Sequence, residues 1–216
     1  TVRAGGNHIL VGAQDQGLQK MLNPGIGAQQ AIQTISGDYA HLVSGNNGAS
    51  VWMVYPGFAM VDTATTTPGR GPLPRWDFSD NGLEGSEFIP ALAAMPGQPN
   101  RALLAGGRFG GGSHHQVVEL TLANGNITHV ADPQVFPTAI GAVAYGANPA
   151  IRHVLDTGGR FWTSEAGAPY STVTPAGPTV TTFRGTDIML DPSRPGRIYV
   201  AGAGYSNPAV LVSNDG

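Results

Sequence analysis

Phe88-Ile89-Pro90-Ala91-Leu92, followed through Pro99-Asn100 by Arg101-Ala102-Leu103-Leu104-Ala105-Gly106, reads as an apolar strand, a proline-bearing turn and a second apolar strand. The same unit returns at Ala139-Ile140-Gly141-Ala142-Val143-Ala144, which passes Pro149 to reach Arg152-His153-Val154-Leu155-Asp156. It returns again at Asp187-Ile188-Met189-Leu190-Asp191-Pro192, through Pro195 to Arg197-Ile198-Tyr199-Val200-Ala201-Gly202. Aligning Pro99, Pro149 and Pro195 gives steps of 50 and 46 residues. Strand pairs at that period predict four-stranded blades, each burying its faces against its neighbours.

Working outward, Gln116-Val117-Val118-Glu119-Leu120-Thr121-Leu122 and Ile127-Thr128-His129-Val130 are the third and fourth strands of one blade. Asn124-Gly125 joins them, the dipeptide that a tight hairpin turn demands. In the next blade the same places fall to Arg160-Phe161-Trp162-Thr163 and Tyr170-Ser171-Thr172-Val173. Two weaker copies lie upstream. Asp38-Tyr39-Ala40-His41-Leu42-Val43 leads through Gly45-Asn46-Asn47-Gly48 to Val51-Trp52-Met53-Val54-Tyr55, and Asn7-His8-Ile9-Leu10-Val11-Gly12 reads as a second strand without a first. The predicted fold is all-β, a β-propeller of four-stranded antiparallel blades. The division is a partial blade over 7–36, whole blades over 37–86, 87–137 and 138–184, and a partial blade over 185–216. Propellers close with four to eight blades. These units are therefore expected to be part of a larger ring of about seven, with blades missing before residue 1 and at least a strand after residue 216.

Composition agrees with short strands and tight turns. Gly 32 and Pro 17 of 216 residues are about twice the average share, and charged residues are only 12 %. The absence of cysteine excludes disulfides, thiol catalysis and cysteine metal sites. Ten arginines stand beside a single lysine, Lys20, and the net charge is −3. With no basic stripe, no nucleic-acid partner is expected. No apolar run approaches the roughly 18 residues of a membrane helix.

Several segments resemble exported bacterial proteins with BNR (Asp-box) repeats. Gly12-Ala13-Gln14-Asp15-Gln16-Gly17 is similar to their G-T-Q-D-N-G, and Ile35-Ser36-Gly37-Asp38-Tyr39 to the G-G-D-G segment that follows. Asp191-Pro192-Ser193-Arg194-Pro195-Gly196-Arg197-Ile198-Tyr199-Val200 resembles their D-P-x-x-P-x-x-V-Y-V. Tyr205 to Gly216 resembles S-G-Y-x-x-P-H-V-F-R-S-T-D-G, its Ser213-Asn214-Asp215-Gly216 being the opening of an Asp box, S-x-D-x-G-x-x-W. Thr163, Glu165, Gly167 and Tyr170 occupy the places of another such box, with a structural role. The resemblance implies a secreted or cell-surface propeller of the sialidase-like and sortilin-like superfamily. That group holds both glycosidases and binding proteins, so the fold alone does not choose between them.

Glycoside hydrolysis would need two carboxylates about 5–9.5 Å apart, or a tyrosine nucleophile with an acidic partner and an arginine cluster. Of the loop-like acids Asp15, Asp38, Asp77, Asp80 and Asp156, the pair Asp15 and Asp38 is the catalytic candidate, because both follow strands in successive copies. The competing reading is that each acid caps a turn. Arg101, Arg152 and Arg197 fall at near-equivalent repeat positions, which favours a structural role. Arg108, His114 and His115 share a glycine-rich loop and are candidate ligand-binding residues. No third zinc ligand accompanies the histidines, so no metal site is expected. No cofactor is expected either, calcium on the Asp-rich loops being the exception to consider. Trp52 and Trp162 fit strand patterns, whereas Trp76 lies in the long insertion from Thr63 to Asn81, where it either anchors the loop or serves as an exposed ligand-binding aromatic. The expected function is a binding or scaffolding module for a glycan or protein, with the remaining blades as partners. A glycosidase is the alternative.

Overall fold

The computed structural model describes residues 2–4, 8–22, 30–63, 73–109, 115–173, 183–204 and 209–215. Among the described residues five antiparallel sheets of three or four strands follow one another along the chain, each a meander in chain order, one short strand alone leaving its place in the third. The first holds β1 (Val2–Ala4), β2 (His8–Ala13), β3 (Gly17–Leu22) and β4 (Ile32–Ile35). The second holds β5 (Ala40–Val43), β6 (Val51–Tyr55), β7 (Phe58–Asp62) and β8 (Arg75–Asp77). Next comes the short β9 (Leu83–Glu84), then β10 (Ala91–Ala94) and β11 (Arg101–Ala105), which open the third sheet. β12 (Arg108–Phe109) leaves that sheet to pair with β9, and β13 (Val117–Ala123) and β14 (Asn126–Ala131) complete it. The fourth is β15 (Ile140–Tyr145), β16 (Ile151–Asp156), β17 (Phe161–Glu165) and β18 (Ser171–Val173). The fifth has three strands among the described residues: β19 (Arg184–Leu190), β20 (Ile198–Ala203) and β21 (Val210–Ser213).

Successive sheets pack face to face, β5 against β2, β10 against β5, β15 against β10 and β19 against β15. Because side chains alternate along a strand, each interior sheet supplies one set of residues to each neighbour. Trp52, Val54, Ala59, Val61 and Trp76 of the second sheet meet Leu92, Ala102, Leu104, Val118 and Leu120 of the third. The opposite face of the third sheet, with Leu103, Ala105 and Val117, meets Val143, Tyr145 and Val154 of the fourth. Sheets four and five close over Ala142, Leu155, Phe161, Ile188 and Ile198. The backbones approach so closely that a Cβ on Gly141 would lie 2.2 Å from the Gly185 carbonyl oxygen. Asn124 and Gly125 take φ of 50° and 79° in the predicted hairpin.

Two expectations need correction. The first sheet does not lack its opening strand, since Val2–Ala4 pairs with β2 through Val2 opposite Leu10. Three residues are too few to show a strand period, and this strand is defined by its partner. Trp76 is not an exposed recognition aromatic. It lies in β8 opposite Ala59, is 2 % exposed, and its indole N–H meets His129 Nδ1 at 3.3 Å. The proline-rich run before it disguises a strand that completes the second sheet.

Candidate functional site

Asp15 sits in the β2–β3 turn with φ 60°, and Asp38 in the connection from β4 to β5. The fold brings the two together, but as a cap: the Asp15 backbone N–H donates to Asp38 Oδ1 at 2.8 Å. Among the described residues no arginine forms an ion pair with either acid. The neighbouring Tyr39 turns inward, its hydroxyl 3.7 Å from Met60 Sδ, and burial pushes it up to about 12. The other loop-like acids are engaged as well. Asp77 pairs with Arg75, and the fully buried Asp156 accepts from the Arg160 N–H at 2.9 Å and the Trp162 indole at 3.2 Å. Asp38 and Asp156 satisfy backbone donors in turns, an ordinary use of aspartate, whereas Asp77 holds the neighbouring Arg75 side chain.

Arg108 and His115 flank the glycine-rich loop; His114 lies outside the described residues. Arg108 runs in β12 opposite Glu84, with its Nε buried and unbonded. His115 bridges to Phe136 and likewise buries an unbonded Nδ1. Gln116 closes the loop base, accepting the Phe109 N–H at 3.1 Å and donating to the Asp132 carbonyl at 3.3 Å. Among the described residues no group of three or more histidines or acids is placed to hold a metal ion.

The densest polar constellation lies elsewhere, between sheets three and four. Glu119, 7 % exposed in the middle of β13, takes ion pairs from Arg101 of its own sheet and Arg152 of the next. Arg152 also lies 3.7 Å from Asp132. The hydroxyls of Tyr145 and Tyr170 are buried here, that of Tyr170 against the Arg152 side chain. Burial pushes the Tyr145 phenol up to about 12 and raises Tyr170 further, so both remain neutral at physiological pH. Tyrosines, carboxylates and arginines are the residue types a sialidase-like centre would use, but both arginines are already committed to Glu119. Chemically this is a clamp between two sheets.

Sequence reasoning put Arg101 and Arg152 at near-equivalent positions yet missed that they converge. The proline alignment places Arg101 opposite Ile151, one residue before Arg152. A one-residue offset flips a side chain to the other face. Arg101 therefore points forward and Arg152 backward, and they meet at the shared interface. Arg197 instead bonds Asn214 Oδ1 at 2.9 Å and lies over Tyr199. The available signal was Glu119 itself, an acid inside the apolar run Val117-Val118-Glu119-Leu120.

The chain matches no known protein-family profile and no curated protein sequence at a significant level. Its structure is similar to the β-propeller domain of Swd1 (Cps50) from Myceliophteria thermophila, with TM-score 0.66 and 11 % identity over 99 % of this chain and 69 % of that one. It is similar also to a chain of a nidogen–laminin complex (TM-score 0.61, 9 % identity, 99 % of this chain and 73 % of that one). The GH74 enzyme of Niastella koreensis matches at TM-score 0.57 and 17 % identity, over 81 % of this chain but only 28 % of that one. Identities this low speak for fold alone. Five successive antiparallel sheets and these neighbours establish one conclusion: the chain has the β-propeller fold.

Proposed function

We propose that this chain is the frame of a binding or scaffolding module, exported or held at a cell surface, whose connecting loops recognise a protein or glycan. The observation that carries the reading is the Asp38 carboxylate, which is spent on the Asp15 N–H rather than held open toward a second acid. Exposed apolar groups in the connections between sheets, Phe88 and Val135, support recognition by contact. The nidogen–laminin neighbour is itself a protein–protein complex, which agrees with a partner-binding role.

A glycosidase is the second reading, favoured by the tyrosine, acid and arginine types gathered around Glu119 and by the GH74 neighbour. Assaying aryl sialosides and xyloglucan oligosaccharides separates the two. The binding reading expects no turnover, and a Phe88→Asp variant that loses about tenfold in glycan-array or partner affinity without a shift in melting temperature. Turnover that falls more than about a hundredfold in Asp38→Asn or Glu119→Gln, with the fold intact, refutes it.

A further inference from the structure

Arg108 is out of keeping with the other arginines. Among the described residues Arg75, Arg101, Arg152 and Arg160 each meet an acid, and Arg197 meets Asn214. Arg184 and Arg194 form no ion pair there, but both stand exposed. Arg108 forms none either, yet it is half-buried and its Nε is sealed from solvent without a hydrogen bond. Even Glu84, its register neighbour on β9, makes no ion pair with it. A partly desolvated guanidinium left unanswered is costly.

The neighbours of Arg108 collect at one end of the third sheet. The Gln116 N–H donates to the Gly107 carbonyl at 3.1 Å, and the Gln116 carbonyl accepts from the Gly106 N–H at 3.3 Å. Arg108 follows Gly107 and His115 precedes Gln116, so the two stand side by side. His115 buries an unbonded Nδ1 at this place. Its carbonyl accepts the Phe136 N–H at 3.0 Å, which brings Val135 alongside. From the other side Gly85 passes so closely that a Cβ on it would stand 3.4 Å from Arg108 Nε. Three residues beyond Gly85 is Phe88, 58 % exposed, and Val135 is 38 % exposed. Two unanswered nitrogens therefore share a surface with two exposed apolar side chains.

Resting on the reading of these connections as a recognition surface, we propose that Arg108 and His115 bind a carboxylate of a protein partner, an aspartate or glutamate beside a large apolar residue that packs on Phe88 and Val135. The planar fork of one guanidinium matches one carboxylate. Glu84 faces Arg108 in register, and Glu87 lies against Gly106. These acids repel a phosphate dianion more strongly than a single carboxylate. A sugar acid fits less well, because its hydroxyls need polar partners and Phe88 and Val135 offer none.

A matched pair of peptides tests this, acetyl-aspartyl-leucyl-alaninamide and its asparaginyl counterpart, which lacks the charge. Each is titrated into the native full-length protein and followed by saturation-transfer NMR of the peptide. The aspartyl form should bind at least about tenfold more tightly than the asparaginyl form. Arg108→Gln should abolish that preference, and Arg108→Lys should keep part of it. Glu84→Gln should tighten the aspartyl peptide by about two- to threefold, because a competing charge is gone. Equal affinity for the two peptides, or no saturable binding of the aspartyl form below about 10 mM, overturns the proposal. An Arg108→Gln variant that weakens both peptides alike and keeps their ratio makes the arginine structural and overturns it too. Displacement of the aspartyl peptide by sialyllactose assigns the site to a sugar acid instead. If Phe88→Asp weakens a partner that Arg108→Gln leaves untouched, this inference falls and the recognition reading stands.

Discussion

His153 provides a sharp test of how the sheets are packed. It stands on β16 opposite Ala144 and Thr163, with its ring stacked 5.2 Å from Phe161. It faces the interface with the fifth sheet, is 4 % exposed, and has an Nδ1 without a partner. Burial lowers its pKa from 6.5 to about 4, and no acid is placed to offset this. The native state therefore resists a proton that the unfolded chain accepts below pH 6.5. Stability is full above that pH and falls as pH drops through the window from 6.5 to about 4. Between pH 7.5 and 5.0 the residue should cost about 2 kcal/mol, at about 1.4 kcal/mol per pH unit below 6.5.

Urea midpoints at pH 7.5 and 5.0 measure this for the wild type and for His153→Phe, which keeps an aromatic ring against Phe161 and cannot titrate. Stopping at pH 5.0 leaves most carboxylates ionised. The variant should lose about 2 kcal/mol less than the wild type over this interval. Equal losses in the two proteins would refute a buried neutral histidine at this interface.

Glu119→Gln should destabilise the chain by about 2 kcal/mol in urea melts by stranding two arginines. The full buried-pair penalty is not reached, because the Arg101 side chain is 34 % exposed. Trp76→Ala should cost about 3–5 kcal/mol, with chemical denaturation as the readout, as expected for a core aromatic; a loss of ligand affinity at unchanged stability would contradict its burial. Gly45→Ala should lower the melting temperature by several degrees, since its Cβ would fall 1.9 Å from the Met95 carbonyl oxygen.

What the sequence disclosed was local. The strand pairs around Pro99, Pro149 and Pro195 and the Asn124-Gly125 hairpin are set by period and turn chemistry within a few residues of each other. What it concealed was non-local. Trp76 becomes a strand residue only by pairing with Ala59 across an insertion, and Val2–Ala4 only by pairing with β2. The site shows the same division. Asp15 and Asp38 could be named because each follows a strand in successive copies, but their relation as donor and cap spans 23 residues and belongs to the tertiary fold. The Glu119 clamp depended on a one-residue difference in phase between two repeats, which a proline alignment blurs.

Apolar faces attract without direction, so a stack of similar sheets held by them alone could settle at several offsets. Here each interface carries a feature that selects one. Lys20 of β3 lies 3.7 Å from Asp62 of β7, both buried, between the first and second sheets. The Trp52 indole donates to the Pro99 carbonyl at 3.1 Å between the second and third. Glu119 joins Arg152 between the third and fourth, and the near-contact of Gly141 with Gly185 sets the fourth against the fifth. Buried ion pairs add little net stability over an apolar contact, but their geometry is demanding. A frame fixed in this way can hold loops such as the one bearing Phe88 at constant spacing, which a binding surface assembled from separate sheets requires. On the binding reading proposed above, the polar residues between the sheets set the register of the frame.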